Sequence, residues 1–239
     1  MVQAESTHSP DSATRPGSLA GIDDASMTSA SVGVVLASAS PARRRLLESA
    51  GIHPTVIVSD VDEEALLARQ PDRPPSESAL VLARAKCEAV ADRHAATMPA
   101  GTVFIGCDSI FEIDGIGYGK PASAQQARER WQTMMGASGT LHTGHWVIRR
   151  GLGCGSTAST TVRMGRLSPR EMDAYLATGE PLAVAGGFTL DGLGGAFVDG
   201  VDGDPSNVIG LSLPTFRRLL AEIGVTWTDL WGDGPPDCP

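Results

Sequence analysis

Short apolar runs alternate with turn residues and helical patterns along most of the chain. The run at 32–36 (VGVVL) precedes a serine-rich loop and a helical pattern over 43–50 that ends at Gly51. Ser40 followed by Pro41 is typical of a helix start, because serine caps free amide groups and the first helical position tolerates proline. The pattern predicts a strand, a tight loop and a helix N-terminus, which together point backbone N–H groups at one place.

The next segments continue this alternation and introduce acidic residues. A second strand is predicted over 55–59, followed by the acidic run DVDEE at 60–64, and a helix over 76–93. A third strand over 102–107 ends at Asp108. Because a carboxylate directly after such an apolar run is expected to be partly buried, Asp108 needs a partner.

The second half of the chain contains hairpin signals as well as helices. Its predicted elements are a strand at 110–113, a turn at Asp114-Gly115 with a strand from Ile116, a helix at 124–135, strands at 141–149 and 158–166 around a glycine-rich turn at 151–155, a helix at 168–178, short strands at 188–190 and 196–198, and a helix at 214–223. Hairpins among irregularly alternating strands and helices favour an α/β domain with a mixed sheet.

One domain with two tails accounts for the whole length. Residues 1–30 carry almost no large apolar side chain, so we expect a disordered tail there. The folded domain is predicted over 31–228, followed by a C-terminal tail at 229–239. With 41% apolar and 20% charged residues, the composition is typical of a soluble globular protein.

Charge and cysteine content narrow the function classes. A net charge of −9 argues against binding to nucleic-acid polymers, which calls for a basic surface. The four cysteines, which have no CxxC spacing, are predicted to be reduced and mostly buried thiols. The absence of a membrane-length apolar segment and of a secretory signal pattern predicts a cytoplasmic protein that does not act at membranes.

A first candidate site surrounds the predicted helix start. Ser38, Ser40 and Arg43 combine hydroxyls, backbone donors and a cation, which suits a phosphate group. The segment does not match the GxxxxGK[ST] phosphate loop, and a simple helix cap explains it equally well.

A second candidate site consists of the carboxylates Asp60, Asp62, Glu63 and Asp108. Such groups hold Mg²⁺ or Mn²⁺ through oxygen, and one of them can orient or deprotonate a water molecule. A solvated acidic loop is the alternative, and it explains the acidic run better than it explains Asp108.

Lys86 and Lys120 are the only lysines among nineteen basic residues. The compact ammonium group suits a phosphate chain that moves during a reaction, whereas arginine favours a fixed two-pronged contact. Chance retention on solvated faces is the alternative. His142 and His145 form a candidate metal pair, but three positions along a strand face opposite sides, which argues against one shared ion.

Taken together, these segments resemble the Maf family of nucleotide pyrophosphatases over about residues 32–224. The blocks that carry the resemblance, in the family's order and spacing, are LASASPARRRLLESAGI (36–52), SDVDE (59–63), LARAKCEAVA (82–91), GCDSIFEIDGIGYGKP (106–121), ARERWQTMMG, LHTGHWV and GEPLAVAGGFTLDGLGGAFVDGVDGDPSNVIGLSLP (179–214). The resemblance implies a mixed-sheet Maf/ITPase-like fold with helices around an elongated, twisted sheet and a central cleft. It also implies hydrolysis of a nucleoside triphosphate to the monophosphate and pyrophosphate, a divalent metal and a homodimer.

The resemblance also implies roles for individual residues. Asp108 matches the proton acceptor, and Glu63 matches a second catalytic carboxylate that shares the metal, Mg²⁺ or Mn²⁺, with it. The matches to triphosphate-binding positions are Ser38, Ser40, Arg43, Lys86 and Lys120.

Three positions depart from the family's known substrate branches. The chain has Ala42, Ser109 and Asp191 where one branch has Arg, Thr and Gln and another has Trp, Gln and Glu. We therefore expect a less selective nucleotide pocket. Two alternatives stay open: a pyrophosphatase for ITP or XTP, and a non-catalytic, nucleotide-binding regulator of septum formation.

Overall fold

The computed structural model describes residues 31–231, so most of both predicted tails lies outside it. The strands are β1 Val34–Leu36, β2 Thr55–Val56, β3 Val103–Ile113, β4 Ile116–Tyr118, β5 Ser138–Arg149, β6 Leu152–Met164 and β7 Val198–Asp202. The helices are α1 Pro41–Ser49, α2 Glu63–Ala68, α3 Pro75–His94, α4 Ala124–Met134, α5 Pro169–Ala177, α6 Pro205–Ile209 and α7 Leu213–Glu222. Short 3₁₀ turns occupy Glu180–Ala183, Ala185–Gly187, Leu193–Phe197 and Trp227–Leu230.

All seven strands form one mixed sheet, which confirms the predicted α/β class. The order is β2-β1-β3-β5-β6-β7, and β4 pairs with β3. Strand β1 runs parallel to β2 and β3, whereas the other pairs are antiparallel. Helices pack around this open sheet, and no helix within residues 31–231 is long and apolar enough to cross a membrane.

One edge of β3 is left free in the middle of the sheet. On that side, β1 pairs with 103–105 and β4 pairs with 111–113. Residues 106–110 therefore have no strand partner there, although β5 pairs with them on the other side. Asp108 and Ser109 lie along this gap between β1 and β4, which is called the cleft below.

Helix α3 lies close to the sheet because two glycines offer no side chain beneath it. A Cβ atom at Gly106 would lie 2.2 Å from the carbonyl oxygen of Ala83, and one at Gly144 would lie 2.3 Å from that of Ala79. Any larger residue would push the helix outward. This close approach brings Lys86, on the same helix, within reach of β3.

Two large apolar clusters stabilise the fold. One is centred on Phe216 of α7 and the inner residues of β1 and β3, and the other on Trp131 of α4. The segment up to Trp231 joins the first cluster, and the backbone N–H of Val32 donates to the carbonyl oxygen of Asp229. The chain therefore packs on the core three residues beyond the predicted boundary at 228, while the tails themselves stay predictions.

The helix starts and the buried thiols were predicted well. Ser40 and Ser168 cap α1 and α5, and each is followed by a proline. Helices α3, α4 and α7 agree with their predicted spans within about two residues. Cys87 and Cys107 are free and buried.

Several strand predictions were wrong. The runs predicted separately at 102–107 and 110–113 are one continuous strand, so Asp108 lies within β3 and not after it. The turn between β5 and β6 consists of Arg150 and Gly151, both at positive φ, and the remaining glycines of the predicted turn belong to β6. Strand β2 is shorter than predicted, and the predicted strand at 188–190 is absent.

The helices α2 and α6 were not predicted. Each is short and begins with an aspartate cap, Asp62 for α2 and Asp204 for α6. Periodicity says little about helices of only one or two turns, so the available signals were local ones: the cap residues, Pro205 after Asp204 and the acidic first turn of α2.

Candidate functional site

Lys86 bridges two carboxylates at the free edge of β3. Its Nζ atom lies 2.5 Å from Asp108 Oδ1 and 2.8 Å from Glu63 Oε1. The lysine comes from α3, whereas Glu63 is the first residue of α2. The side chains of Lys86 and Asp108 are 11% and 13% exposed, and that of Glu63 is 49% exposed. The ion pair between Asp108 and Lys86 is therefore largely desolvated, while Glu63 faces solvent.

The environment of Asp108 makes its carboxylate easier to protonate than that of an ordinary aspartate. Burial raises the pKa of the Asp108 carboxyl, and the positive charges of Lys86 and Arg43 offset part of that shift. A carboxylate with a raised pKa is a better proton acceptor than an exposed one. The geometry therefore gives Asp108 the chemical character of a general base.

Arg43 is the second cation of the cleft and is held by three hydrogen bonds. Its guanidinium donates to Gly210 O at 2.7 Å, to Ser38 Oγ at 3.0 Å and to Ser109 Oγ at 3.0 Å. A guanidinium has five N–H donors, so two stay available for a ligand. Ser38 Oγ also accepts the backbone N–H of Ser40, which ties the loop before α1 to the arginine.

The cluster around Lys86 and the cluster around Arg43 meet at one short stretch of β3. Asp108 and Ser109 are consecutive strand residues, so their side chains point to opposite faces of the sheet. Ser109 bonds Arg43 on one face, and Asp108 bonds Lys86 on the other. Because β3 has no partner on this side, both faces open onto the same cleft.

Sequence reasoning missed a polar layer beneath Arg43. Ser109 Oγ lies 2.9 Å from Thr143 Oγ1, which donates to the carbonyl oxygen of Asn207. The side-chain nitrogen Nδ2 of Asn207 donates in turn to Leu141 O and Thr160 Oγ1. This layer fixes the hydroxyl that Arg43 contacts. Its only sequence signal was the presence of polar residues inside otherwise apolar segments.

The two histidines do not share a ligand site, as expected for strand residues three apart. His145 is fully buried, and its Nε2 accepts the backbone N–H of Ser212 at 2.8 Å. Burial lowers the pKa of His145 to about 4, and the charge of Arg43 adds to that effect. His142 contacts Glu112 and Ser159 instead.

The other acidic candidates have structural roles. Asp62 caps α2, and Asp60 forms an exposed ion pair with Arg93. Of the predicted acidic set, the structure brings only Glu63 and Asp108 together, through Lys86.

The remaining predicted residues form no side-chain hydrogen bond or ion pair with Lys86, Arg43 or Asp108 within residues 31–231. Lys120 is exposed and forms no ion pair among residues 31–231. Ala42 is half-buried on α1. Asp191 also contacts α1, because its carboxylate oxygen Oδ2 lies 3.3 Å from the guanidinium nitrogen Nη2 of Arg45.

Glu180 organises the loop that carries Asp191. Its carboxylate accepts hydrogen bonds from Tyr175 Oη, Thr189 Oγ1 and the backbone N–H groups of Leu193 and Gly194. Burial by itself raises the pKa of Glu180, but these donors outweigh it, and the pKa lies below its usual value. The loop is therefore closed around a charged carboxylate.

The segment that follows Glu180 contacts both the residue before Lys120 and helix α1. The backbone N–H of Gly186 donates to Gly119 O, next to Lys120, while Asp191 contacts Arg45 on α1. Glu180 fixes the later part of this segment, at Thr189, Leu193 and Gly194, next to the residue that contacts the helix carrying Arg43.

Glu63 and Asp108 suit a metal ion whose remaining coordination positions are filled by water and by substrate phosphates. Within residues 31–231, no three His, Cys, Asp or Glu side chains converge as a ready metal site. Glu63 and Asp108 nevertheless converge on the same point, now held by Lys86 Nζ. Mg²⁺ is commonly bound by one or two carboxylates together with waters and substrate phosphates, and Glu63 and Asp108 match such a set of protein ligands.

Comparison with known proteins gives one consistent result. The profile of the family described as Maf-like protein matches residues 33–223. A relative from Streptomyces coelicolor, named nucleoside triphosphate pyrophosphatase, is 52% identical over 200 residues, which cover 83% of this chain and 94% of the relative. A relative of the same name from Saccharopolyspora erythraea is 53% identical over 208 residues, covering 84% of this chain and 97% of the relative.

Proposed function

The chain belongs to the Maf-like protein family, and on that basis we propose that it is an enzyme that hydrolyses a nucleoside triphosphate to the monophosphate and pyrophosphate. The observation that carries this proposal is the buried Asp108 beside Lys86, with Arg43 close enough to influence its ionisation. A base and two cations at one cleft are what attack of water on a phosphate chain requires.

In this mechanism Asp108 orients a water molecule and accepts its proton as the water attacks the α-phosphorus. Pyrophosphate is the leaving group. Lys86 neutralises Asp108 in the free protein, and its compact ammonium can contact the phosphate chain without leaving the carboxylate. Arg43, held by Ser38 and Ser109, offers its two remaining donors to phosphate oxygens.

Ser40 and Lys120 complete the proposed triphosphate contacts. Ser40 lies in the loop before α1, whose N-terminal N–H groups favour an anion. Lys120 is exposed and unpaired with any carboxylate among residues 31–231, so its ammonium is available to a phosphate group that enters the cleft. These assignments are part of the proposal.

A divalent cation, Mg²⁺ or Mn²⁺, is the proposed cofactor. Glu63 and Asp108 would hold it, and when bound it supplies positive charge that neutralises the phosphate chain. The Glu63 side chain is half-exposed, and an ion pair in contact with solvent contributes little free energy. Its carboxylate can therefore exchange Lys86 for a metal ion at little cost.

The proposed substrate class is broad. Ala42 offers little bulk and no charge, and Ser109 is already engaged by Arg43 and Thr143. Neither side chain provides a strong hydrogen-bond pattern for one base, so we propose low selectivity and a house-cleaning role toward non-standard or excess nucleotides.

A pyrophosphate-release assay tests this proposal. We expect turnover of dTTP, UTP, CTP, GTP, ITP and 7-methyl-GTP with Mg²⁺ or Mn²⁺, with kcat/KM values that differ by less than about a thousandfold. We expect Asp108→Asn to reduce turnover by at least about a hundredfold while circular dichroism and melting temperature show an intact fold. Undiminished turnover in this variant would reject the role of Asp108.

Assembly and location belong to the same proposal. We propose a homodimer in the cytoplasm. Light scattering of the full chain after size-exclusion chromatography tests the assembly, and a mass equal to one chain would contradict it.

A further inference from the structure

Three side chains form a hydrogen-bonded chain across β3, β5 and β6, apart from the residues assigned above. Ser159 Oγ lies 2.8 Å from His142 Nδ1, and His142 Nε2 lies 3.0 Å from Glu112 Oε2. The sheet register puts them side by side. His142 pairs with Ser159 on β6 and with Ile110 on β3, so Glu112, two residues further along β3, shares their face.

The partners determine which nitrogen of His142 carries the proton. An ionised carboxylate only accepts hydrogen bonds, so Nε2 carries the proton that faces Glu112. In the neutral imidazole, Nδ1 is then the unprotonated nitrogen, and it accepts from the hydroxyl of Ser159. A hydroxyl bonded to an imidazole that a carboxylate orients is the arrangement of an activated nucleophile.

The solvent exposure of Ser159 and His142 suits a reactive serine, which has to be accessible while its base is shielded. Ser159 is exposed, whereas His142 is only 9% exposed. An electrophile in solution can therefore reach the hydroxyl, while the imidazole is shielded and its free nitrogen is directed at Ser159.

The first turn of α3 contacts the same face of β6, two residues before this serine. Thr157, which shares the outer face of β6 with Ser159, donates to the carbonyl oxygen of Ser76 at 3.0 Å. Helix α3 is 20 residues long, and no side chain caps its N-terminus. The positive end of its dipole favours the negative charge that develops on an attacked carbonyl oxygen.

We propose that Ser159 is an acylation site for small activated carboxylic esters. Ser159 Oγ attacks the carbonyl carbon, and its proton moves to His142 Nδ1 while Glu112 stabilises the imidazolium. The bond between the carbonyl carbon and the ester oxygen then breaks. The proton on Nδ1 passes to the departing alkoxide or phenoxide, which leaves an acyl group on Ser159 and neutral His142.

Acetylation by p-nitrophenyl acetate tests this proposal within a single molecule. Ser156 is the internal control, because it is an exposed serine on the same strand that faces the opposite side and makes no side-chain hydrogen bond among residues 31–231. Peptide mass spectrometry over a time course measures both sites in the full chain. General-base assistance contributes roughly 10²–10⁴-fold, so we expect Ser159 to be acetylated at least about a hundredfold faster than Ser156.

Variants identify the source of that reactivity. We expect His142→Asn to slow acetylation of Ser159 to the rate of Ser156. Glu112→Gln changes a less buried residue and serves if His142→Asn fails to fold; we expect it to slow acetylation of Ser159 by at least about tenfold. Equal rates at the two serines, or a Ser159 rate unchanged in a folded variant, would overturn the proposal. The assay contains no nucleotide, so its result is independent of the proposed pyrophosphatase activity.

Discussion

At the scale of single residues, Asp108 combines two demands that normally conflict. It lies inside an apolar strand, yet its carboxylate has to be charged before it can accept a proton. Lys86 resolves the conflict at 2.5 Å, because an unpaired carboxylate in this position would be costly. The sequence indicated that a partner was needed, but it did not say which of the basic residues would supply it.

The ionisation of Asp108 leads to a prediction about pH. Burial raises the pKa of its carboxyl, so the base form is lost as pH falls through a range above that of an ordinary aspartate, about 3.9. We expect a ¹³C NMR titration of the Asp108 carboxyl, assigned with Asp108→Asn, to have its midpoint above that value. Turnover should decline in the same range. A midpoint at or below about 3.9 would contradict the prediction.

The two lysines provide a second test at this scale. Arginine keeps the charge but replaces a compact ammonium by a wide planar group, which does not fit between Asp108 and Glu63 in the same way. We expect Lys86→Arg and Lys120→Arg each to lower kcat by about tenfold or more, with a change in melting temperature of only a few degrees.

The control for the lysine exchange is Arg170→Lys, at an exposed position of α5 that contributes nothing to the cleft. It should leave both kcat and melting temperature unchanged. Wild-type turnover in both lysine variants would mean that the two lysines were retained by chance.

At the scale of elements, local signals and long-range pairing differ in how far they can be predicted. The starts of α1 and α5 followed from serine-proline pairs, because a cap is satisfied within three residues. The continuity of β3 did not follow from its own residues. Its polar interior at Asp108 and Ser109 suggested an end, but the strand continues because β5 pairs with it along 104–112, including the stretch 106–110 that neither β1 nor β4 reaches.

The loop around Glu180 is the element whose contribution to the cleft is most directly testable. Glutamine can donate where the carboxylate only accepts, so Glu180→Gln loses at least one of the bonds from Thr189, Leu193 and Gly194. We expect KM for the preferred nucleotide to rise by about tenfold, because the loop no longer holds Asp191 against α1.

Glu171→Gln is the matched control for this loop. Glu171 also accepts backbone and hydroxyl hydrogen bonds, but it does so in the cap of α5. We expect this variant to lose some stability with no change in KM. If Glu180→Gln also left KM unchanged, the loop would have only a structural role.

At the scale of the whole molecule, buried His145 makes stability depend on pH. Burial lowers its pKa from 6.5 to about 4, so the unfolded chain binds the proton first as pH falls. The stabilisation is complete above pH 6.5 and is lost progressively down to about pH 4. At about 1.4 kcal/mol per pKa unit, the loss approaches about 3 kcal/mol.

Urea denaturation at a series of pH values measures this effect. The free energy of unfolding of the wild type should fall more steeply between these pH values than that of His145→Asn, which has no imidazole to protonate. Other groups titrate in both proteins, so the difference between the two curves isolates His145. Parallel curves would show that His145 does not contribute.

The candidate site was predictable as a set of residues but not as an arrangement. Ser38, Arg43, Glu63, Lys86 and Asp108 all followed from chemistry and resemblance, and the structure brings them to one cleft. The roles of Thr143 and Asn207 could not be predicted. Both help to hold Ser109 in place, but each is separated by dozens of residues from the group it supports. Their partners become neighbours only when the sheet forms.

The serine caps of α1 and α5, most of the apolar runs, the net negative charge and the family of this protein follow from the amino-acid sequence, because these depend on residue type and short spacing. Only the tertiary structure decided that β3 has a free edge between β1 and β4, that Lys86 joins Glu63 to Asp108, and that Ser159, His142 and Glu112 align across three strands. The physical reason is that strand register and helix approach depend on the packing of many distant side chains at once, whereas a cap or an apolar run is settled within a few residues.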